Sequence, residues 1–447
     1  MKKNFLVSSL IFLLHFSSNA QIGHAIRVKI KGIIPQKTCF LGYYNGFGTI
    51  TEVEQSAPDQ NGYMIFGGSK TLPQGLYKVT ITPKKSFEII ITDQQNFSVS
   101  TDTLDFYNQT KFIGSNENQV FYDYQAKMAK FIADGKTAGI KEAKLDSLQT
   151  EIKKFRESFL KKNEGTFAAK LVKASVIPEP SKKLNTEKAY LFYQDHFWDN
   201  IDLSDARYLN TPILPEKIDE YIDKLTYPNV DSLTKASVYL IEKVKANKEM
   251  FRYFLSYLVR KFENPKINGT EGVYVNLAEK YYMSKQATWI DDYTLSSIKQ
   301  KTETIKPLLL GKVFPDMELK TPDNKAFTIN GLQAKYTVVF FYSPTCSHCQ
   351  ATMPKVKQFY EKYKSHGVEV LAISVRESGP VWKDFIAKQG VANMVHGWEN
   401  KDDGFYYYKY DVTIFPTIYV LNEKKQIIGR KLTGEELGSF IDFTEGK

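Results

Sequence analysis

The 447-residue chain carries 60 Lys and Arg against 50 Asp and Glu, a formal charge of +10, with 42% hydrophobic residues. That is enough apolar material for packed cores in roughly two to four domains. The basic residues are dispersed, with no basic block and no zinc-finger or helix-turn-helix spacing, which argues against nucleic acid as a partner. Three cysteines in the whole chain argue against a disulfide-stapled scaffold.

The chain opens MKKNFLVSSLIFLLHFSSNA. Lys2 and Lys3 form a positive start, and the apolar stretch from Phe5 to Phe16 is short for a bilayer span. Ser18, Asn19 and Ala20 offer small residues before Gln21. This pattern predicts a signal peptide over 1–20, export, and no membrane span after cleavage. No cysteine follows the cleavage point, so no lipobox is present, and a periplasmic or cell-envelope location is expected.

Residues 21–115 predict a β-rich, antiparallel domain. HAIRVKIKGI alternates apolar and polar side chains, and NGYMIFGG, GLYKVTITP and SFEIIITD follow between Pro, Gly and Asn/Asp breaks. Residues 116–306 predict an all-α domain. Leu145, Leu148, Ile152, Phe155 and Phe159 step by three and four along one helix face. His196, Phe197, Trp198 and Asp199 are the notable polar-aromatic group there, and helix packing explains them most simply. Residues 307–447 predict an α/β domain. Two short strands and a buried one lead into a helix, and GVEVLAISV is a second buried strand. VWKDFIAKQG is a helix, PTIYVLN and QIIGRKL a hairpin, and EELGSFIDF a closing helix.

FFYSPTCSHCQ, residues 340–350, holds Cys346 and Cys349. Zinc would need more ligands at matching spacing, and none are present. Covalent haem attachment needs a histidine directly after the second cysteine, where Gln350 stands. A structural disulfide closing so short a loop would constrain the unfolded chain little. Redox chemistry fits better. The pair follows a buried strand and opens a helix, which puts Cys346 among unpaired N–H groups at the positive end of the helix dipole. Thiols in such settings fall from about 8.5 to roughly 3.5–7. Cys346 is then the expected nucleophile, Cys349 the resolving thiol, and His348 a source of positive charge. Cys39 reads as a small buried hydrophobe.

YSPTCSHC at 342–349, Pro354, GVEVLAISV and YDVTIFPT at 410–417 resemble the thioredoxin superfamily, in particular its TlpA/ResA-like envelope oxidoreductases. The resemblance covers the C-terminal ~140 residues and implies a thioredoxin fold with no metal or organic cofactor. It implies a cis proline at Pro416, preceded by Phe415, beside the cysteines and shaping the substrate-docking surface. Implied partners are exported cysteine-containing proteins and an envelope thiol donor or acceptor of electrons. The sequence departs from the family at two places. Phe340 stands where thioredoxins bury an aspartate, and Thr352 where ResA-like reductases carry a glutamate. Glu377 is a conceivable substitute, though it reads better as a solvated surface residue. FGGSKTLPQGLY at 66–77 resembles modules of unknown function that precede such domains. Two alternatives stand beside the oxidoreductase: a thiol peroxidase, for which Arg376 is the available arginine, and a non-catalytic envelope scaffold.

Overall fold

The computed structural model describes residues 23–137, 142–181, 185–399 and 401–447. The predicted signal peptide lies outside them. The chain forms two compact units, Met1–Ile218 and Asp219–Lys447, so the helical stretch is shared between them. Among the described residues no helix is long and apolar enough to cross a membrane.

In the first unit, strands β1 (His24–Lys31), β2 (Cys39–Tyr44), β3 (Ile50–Ser56), β4 (Tyr63–Gly68), β5 (Gly75–Thr82), β6 (Lys85–Ile91) and β7 (Asn96–Asp102) are followed by helix α1 (Phe106–Gln109) and strand β8 (Lys111–Ile113). They form two sheets, ordered β4-β1-β7-β8 and β3-β2-β5-β6. Along β1, Ile26, Val28 and Ile30 turn inward while Arg27, Lys29 and Lys31 face solvent, the two-residue period of a half-buried strand. They pack into a core with Leu41, Val79, Ile89 and Val99. Cys39 is a free thiol enclosed in that core. Burial pushes it up, against the opposing charge of Lys37.

The expectation of a wholly antiparallel domain needs correction at one pair. β1 runs parallel to β7, with Ile26 opposite Phe97. All other strand pairs of these two sheets are antiparallel. Between β1 and β7 the chain crosses to the second sheet and back twice, with β4 between, which leaves room to re-enter in the same direction. Alternation reveals which face a residue takes, not which way the strand runs.

Helices α2 (Asn116–Thr137), α3 (Glu142–Lys162), α4 (Phe167–Ala174), α5 (Thr186–His196) and α6 (Ile213–Lys224) follow. Buried Asn118 of α2 accepts from the Ile90 N–H and donates to the Ile90 carbonyl, each at 2.7 Å, which satisfies both backbone groups at that point of β6. In the aromatic group after α5, Phe197 and Trp198 are buried, and Lys217 Nζ lies 4.1 Å over the Phe197 ring. His196 and Asp199 pair at the surface at 2.7 Å. This is packing with a solvated hydrogen-bonded pair, in line with the simpler reading of the sequence.

The second unit begins with helices α7 (Val230–Val244), α8 (Lys248–Glu263), α9 (Glu271–Leu277) and α10 (Asp292–Ile305). Asn229 and Asn247 cap α7 and α8 by accepting from N–H groups of the first turn. The α/β part then runs β9 (Glu318–Lys320), β10 (Ala326–Thr328), β11 (Tyr336–Tyr342), α11 (Ser347–Tyr363), β12 (Val368–Ser374), α12 (Gly379–Gln389), β13 (Val395–Trp398), α13 (Asp403–Tyr410), β14 (Thr417–Asn422), β15 (Ile427–Arg430) and α14 (Glu436–Thr444). The sheet is ordered β10-β9-β13-β12-β11-β14-β15. β11 is central, parallel to β12 and antiparallel to β14.

Every residue of β11 is buried, as a strand covered on both faces requires. Val338, Phe340 and Tyr342 face a core layer with Cys349, Met353 and Val356 of α11, Trp382 of α12 and Leu437 of α14. Val339 and Phe341 face the opposite layer with Phe314, Tyr406 and Tyr410. The sequence reading lacks β13 and α13, which lie between the second buried strand and the hairpin.

Candidate active site

The central strand delivers the chain to the site. β11 ends at Tyr342, and the next residues turn: the Cys346 N–H donates to the Ser343 carbonyl at 3.1 Å. α11 begins at Ser347 with Cys346 as its N-cap, φ −82° and ψ 123°. The side chain of Gln350 donates back to the Pro344 carbonyl at 3.0 Å and holds the turn against the helix. Cys346 is partly exposed, and Cys349, one turn into the helix, has none of its surface open to solvent.

The two thiols differ electrostatically. Burial works to raise Cys346, but it is outweighed by donors from Cys349, both its backbone N–H and its thiol. The His348 backbone N–H and the charge of Arg376 act in the same direction. The net result is a thiol below its ordinary value. Burial pushes Cys349 the other way, up to about 12. A Ser343 backbone donor opposes that, and the neighbouring Cys346 sulfur adds to it.

Across the site, the Phe415–Pro416 peptide bond is cis. The Phe415 carbonyl oxygen lies 4.0 Å from Cys346 Sγ. The Arg376 guanidinium sits 5.1 Å over the Phe415 ring. Ile414, next in the loop, is 69% exposed. The fold therefore brings Cys346, Cys349, Phe415 and Pro416 together at the end of β11 and the start of β14.

His348 is placed differently from its expected role. Its side chain is exposed, and what reaches Cys346 is its backbone N–H. The charge that acts on the thiol is that of Arg376, which the sequence reading weighed only for a peroxidase. Its position directly after GVEVLAISV, at the end of a strand parallel to β11, is the signal that could have found it. Phe340 is fully buried, and Thr352 donates its hydroxyl to the His348 carbonyl at 2.8 Å, so neither supplies a carboxylate. Glu377 is half-buried, and its backbone carbonyl accepts from the Ser374 hydroxyl. Among the described residues no group of three or more His, Cys, Asp and Glu could hold a metal ion.

Removing the Arg376 charge tests this account. Arg376→Met keeps most of the side chain's bulk and deletes the cation. The pH midpoint for alkylation of Cys346 is expected to move up by roughly half a unit to one unit. Cys349 should stay unreactive until strongly alkaline pH. An unchanged midpoint would assign the lowered thiol to the Cys349 and His348 donors.

Comparison with known proteins agrees with this fold. A family model described as Thioredoxin-like matches residues 333–427, and one described as Domain of unknown function (DUF5106) matches residues 141–307. The thiol–disulfide oxidoreductase ResA of Bacillus anthracis is 27% identical over 137 residues, 30% of this chain and 76% of that protein. ResA of Bacillus subtilis (strain 168) is 27% identical over 131 residues, 29% of this chain and 71% of that protein. A crystal structure of a thioredoxin-like protein from Bacteroides caccae superposes with a TM-score of 0.50 at 20% identity, over 60% of this chain and 98% of that one. That likeness concerns the fold. Taken with the fold and the paired thiols, these likenesses support a multidomain thiol–disulfide oxidoreductase whose C-terminal domain resembles the TlpA/ResA-like members of the thioredoxin superfamily.

Proposed function

We propose that the chain is exported and exchanges disulfides of cell-envelope proteins through Cys346 and Cys349. The observation that carries this reading is the asymmetry of the pair: an accessible thiol held low beside a buried thiol held high. In the reducing direction the Cys346 thiolate attacks a substrate disulfide and one substrate sulfur leaves as thiolate. Cys349 then loses its proton and attacks Cys346 Sγ, which releases the second substrate sulfur. Two electrons pass to the substrate, and a Cys346–Cys349 disulfide remains until an envelope thiol donor reduces it. The oxidising direction is the reverse. Phe415 and Pro416 shape the docking surface next to the nucleophile, and the chemistry needs no metal or organic cofactor. In this reading the domains at 21–115 and 116–306 select and position partners for the redox domain at 307–447, and the signal peptide at 1–20 directs export to the periplasm.

The test is the equilibrium reduction potential of the Cys346–Cys349 couple, measured in glutathione buffers with mass-tag trapping of free thiols. A value near about −270 mV makes the chain a reductant that needs an electron supply. A value between about −180 and −120 mV makes it an isomerase or oxidant. If the two cysteines never form a disulfide with each other, the reading fails. Consumption of hydrogen peroxide faster than disulfide exchange would favour the peroxidase alternative.

A further inference from the structure

The second unit contains a largely buried charge cluster that the dithiol chemistry does not use. Arg430, at the end of β15, has no exposed surface. Its Nη2 donates to Asp411 Oδ2 at 2.9 Å, its Nε lies 3.2 Å from Glu271 Oε1, and its Nη1 donates to the Leu308 carbonyl at 3.3 Å. Lys431 adds a second cation, 2.7 Å from Asp411 Oδ2. Asn268 bonds both backbone groups of Arg430: its Oδ1 accepts from the N–H at 3.2 Å and its Nδ2 donates to the carbonyl. Two cations thus face two carboxylates, all but Lys431 almost wholly enclosed. Buried charges are tolerated only in such paired geometry.

The cluster joins two parts of the chain. Asn268 and Glu271 belong to the α8–α9 connection and the start of α9. Asp411 ends α13 in a left-handed conformation, φ 51°. It also opens the loop that runs through Ile414 and Phe415 to Pro416. The far stem of that loop is tied to the same place. Tyr419 of β14 stands opposite Arg430 of β15, and its hydroxyl donates to the Tyr410 carbonyl at 2.6 Å. α13 also packs against α10. At Gly269 (φ +84°) a Cβ would fall 2.1 Å from Leu310 Cδ1, so the connection is pressed against the segment leading into the α/β part.

We propose that Arg430, Glu271 and Asn268 are positioning residues that hold the 411–416 loop against Cys346, so that the helical segment sets the geometry of the dithiol site. This rests on the disulfide-exchange reading above. The physical route is short. Arg430 fixes Asp411, and the loop it opens carries Phe415. Phe415 places its carbonyl 4.0 Å from Cys346 Sγ and its ring under the guanidinium of Arg376. A loop that drifts by even an ångström loses substrate alignment and loosens the cation acting on the thiol.

Glu271→Gln and Asn268→Ala, made in the full chain, test it with a bis-peptide disulfide as substrate. Two readouts are compared with the native chain: KM against kcat, and the pH profile of Cys346 alkylation, on which Arg376, His348 and Cys349 also act. The expected result is a KM raised by about tenfold and an alkylation midpoint moved upward, with circular dichroism unchanged. Native KM and native midpoint, with only a lower melting temperature, would overturn the proposal and leave the cluster a stability element. If these variants do not fold, Lys431→Met removes only the partly exposed cation. It should shift both readouts in the same direction by less, and no shift overturns the proposal. A native chain that exchanges no disulfide sinks the functional reading, while the alkylation midpoints still decide whether the cluster positions the loop.

Discussion

Cys346→Ser is expected to lower disulfide exchange by roughly a thousandfold or more, whereas Cys349→Ser should leave the chain covalently joined to its substrate. The difference follows from placement. Cys346 is reachable and its thiolate is favoured by the first-turn N–H groups and by Arg376. Cys349 is enclosed and held up to about 12, so it makes a poor first nucleophile. Its turn comes later, and the first step prepares it. Two of the influences that raise Cys349 come from the Cys346 sulfur: a hydrogen bond and the negative charge of the thiolate. Once Cys346 is bonded to substrate sulfur, that charge is gone, and the Ser343 backbone donor that favours the Cys349 thiolate remains. Formation of the mixed disulfide therefore lowers the resolving thiol and promotes its own resolution. Non-reducing electrophoresis of each variant with a cysteine-containing substrate checks this. A stable adduct through Cys349 in the Cys346→Ser chain would reverse the assignment of roles.

The placement of Cys346 and Cys349 between a buried strand and a helix was legible because its signal is local. A run of apolar residues long enough for a buried strand, two cysteines one helical turn apart and a helix-forming stretch occupy consecutive positions. The β-rich start was legible for the same reason, since β1 alternates from Ile26 to Lys31. What escaped depended on long-range partners. β13 is four residues, VHGW, with a glycine inside. α13 reads DGFYYYKY, aromatic on several faces and with a glycine in its first turn, so helical periodicity is hidden. Its helix forms because Asp402 caps it and because Tyr406 and Tyr410 bury against Phe314 and Phe341. Arg376 was weighed only as a peroxidase arginine until the fold set it over Phe415. Arg430, inside QIIGRKL, gave no sign that a hairpin residue would be the most enclosed cation of its unit. His348 drew attention through its place between the cysteines, but proximity in sequence put its ring in solvent and left only its N–H for the thiol.

Phe340→Asp, which places a carboxylate where thioredoxins bury one, is expected to destabilise the second unit severely. Phe340 lies on the central strand, between Ala372 of β12 and Ile418 of β14. It has no exposed surface, and its ring centroid is 5.5 Å from that of Tyr342. Truncating a buried phenylalanine costs about 3–5 kcal/mol. The carboxylate adds a desolvation penalty, because the surrounding core layer consists of apolar and aromatic side chains together with the Cys349 thiol. The group should take up a proton, so its folded pKa rises above the ordinary value of about 3.9. The sign of the pH effect follows. Between those two values the folded state holds more protons than the unfolded state, so stability falls as pH rises. The variant should come nearest to Phe340→Ala at about pH 4 and fall progressively behind it toward neutral pH. Guanidinium unfolding of both variants at pH 4 and pH 8 measures the gap. If the two variants are equally stable at pH 8, the carboxylate has reached water or a cation, and the core beside Cys349 is less sealed than its burial implies. In the native chain the buried Phe340 leaves no carboxylate at this position to take the Cys349 proton. The burden then falls on the charge lost from Cys346 when the mixed disulfide forms.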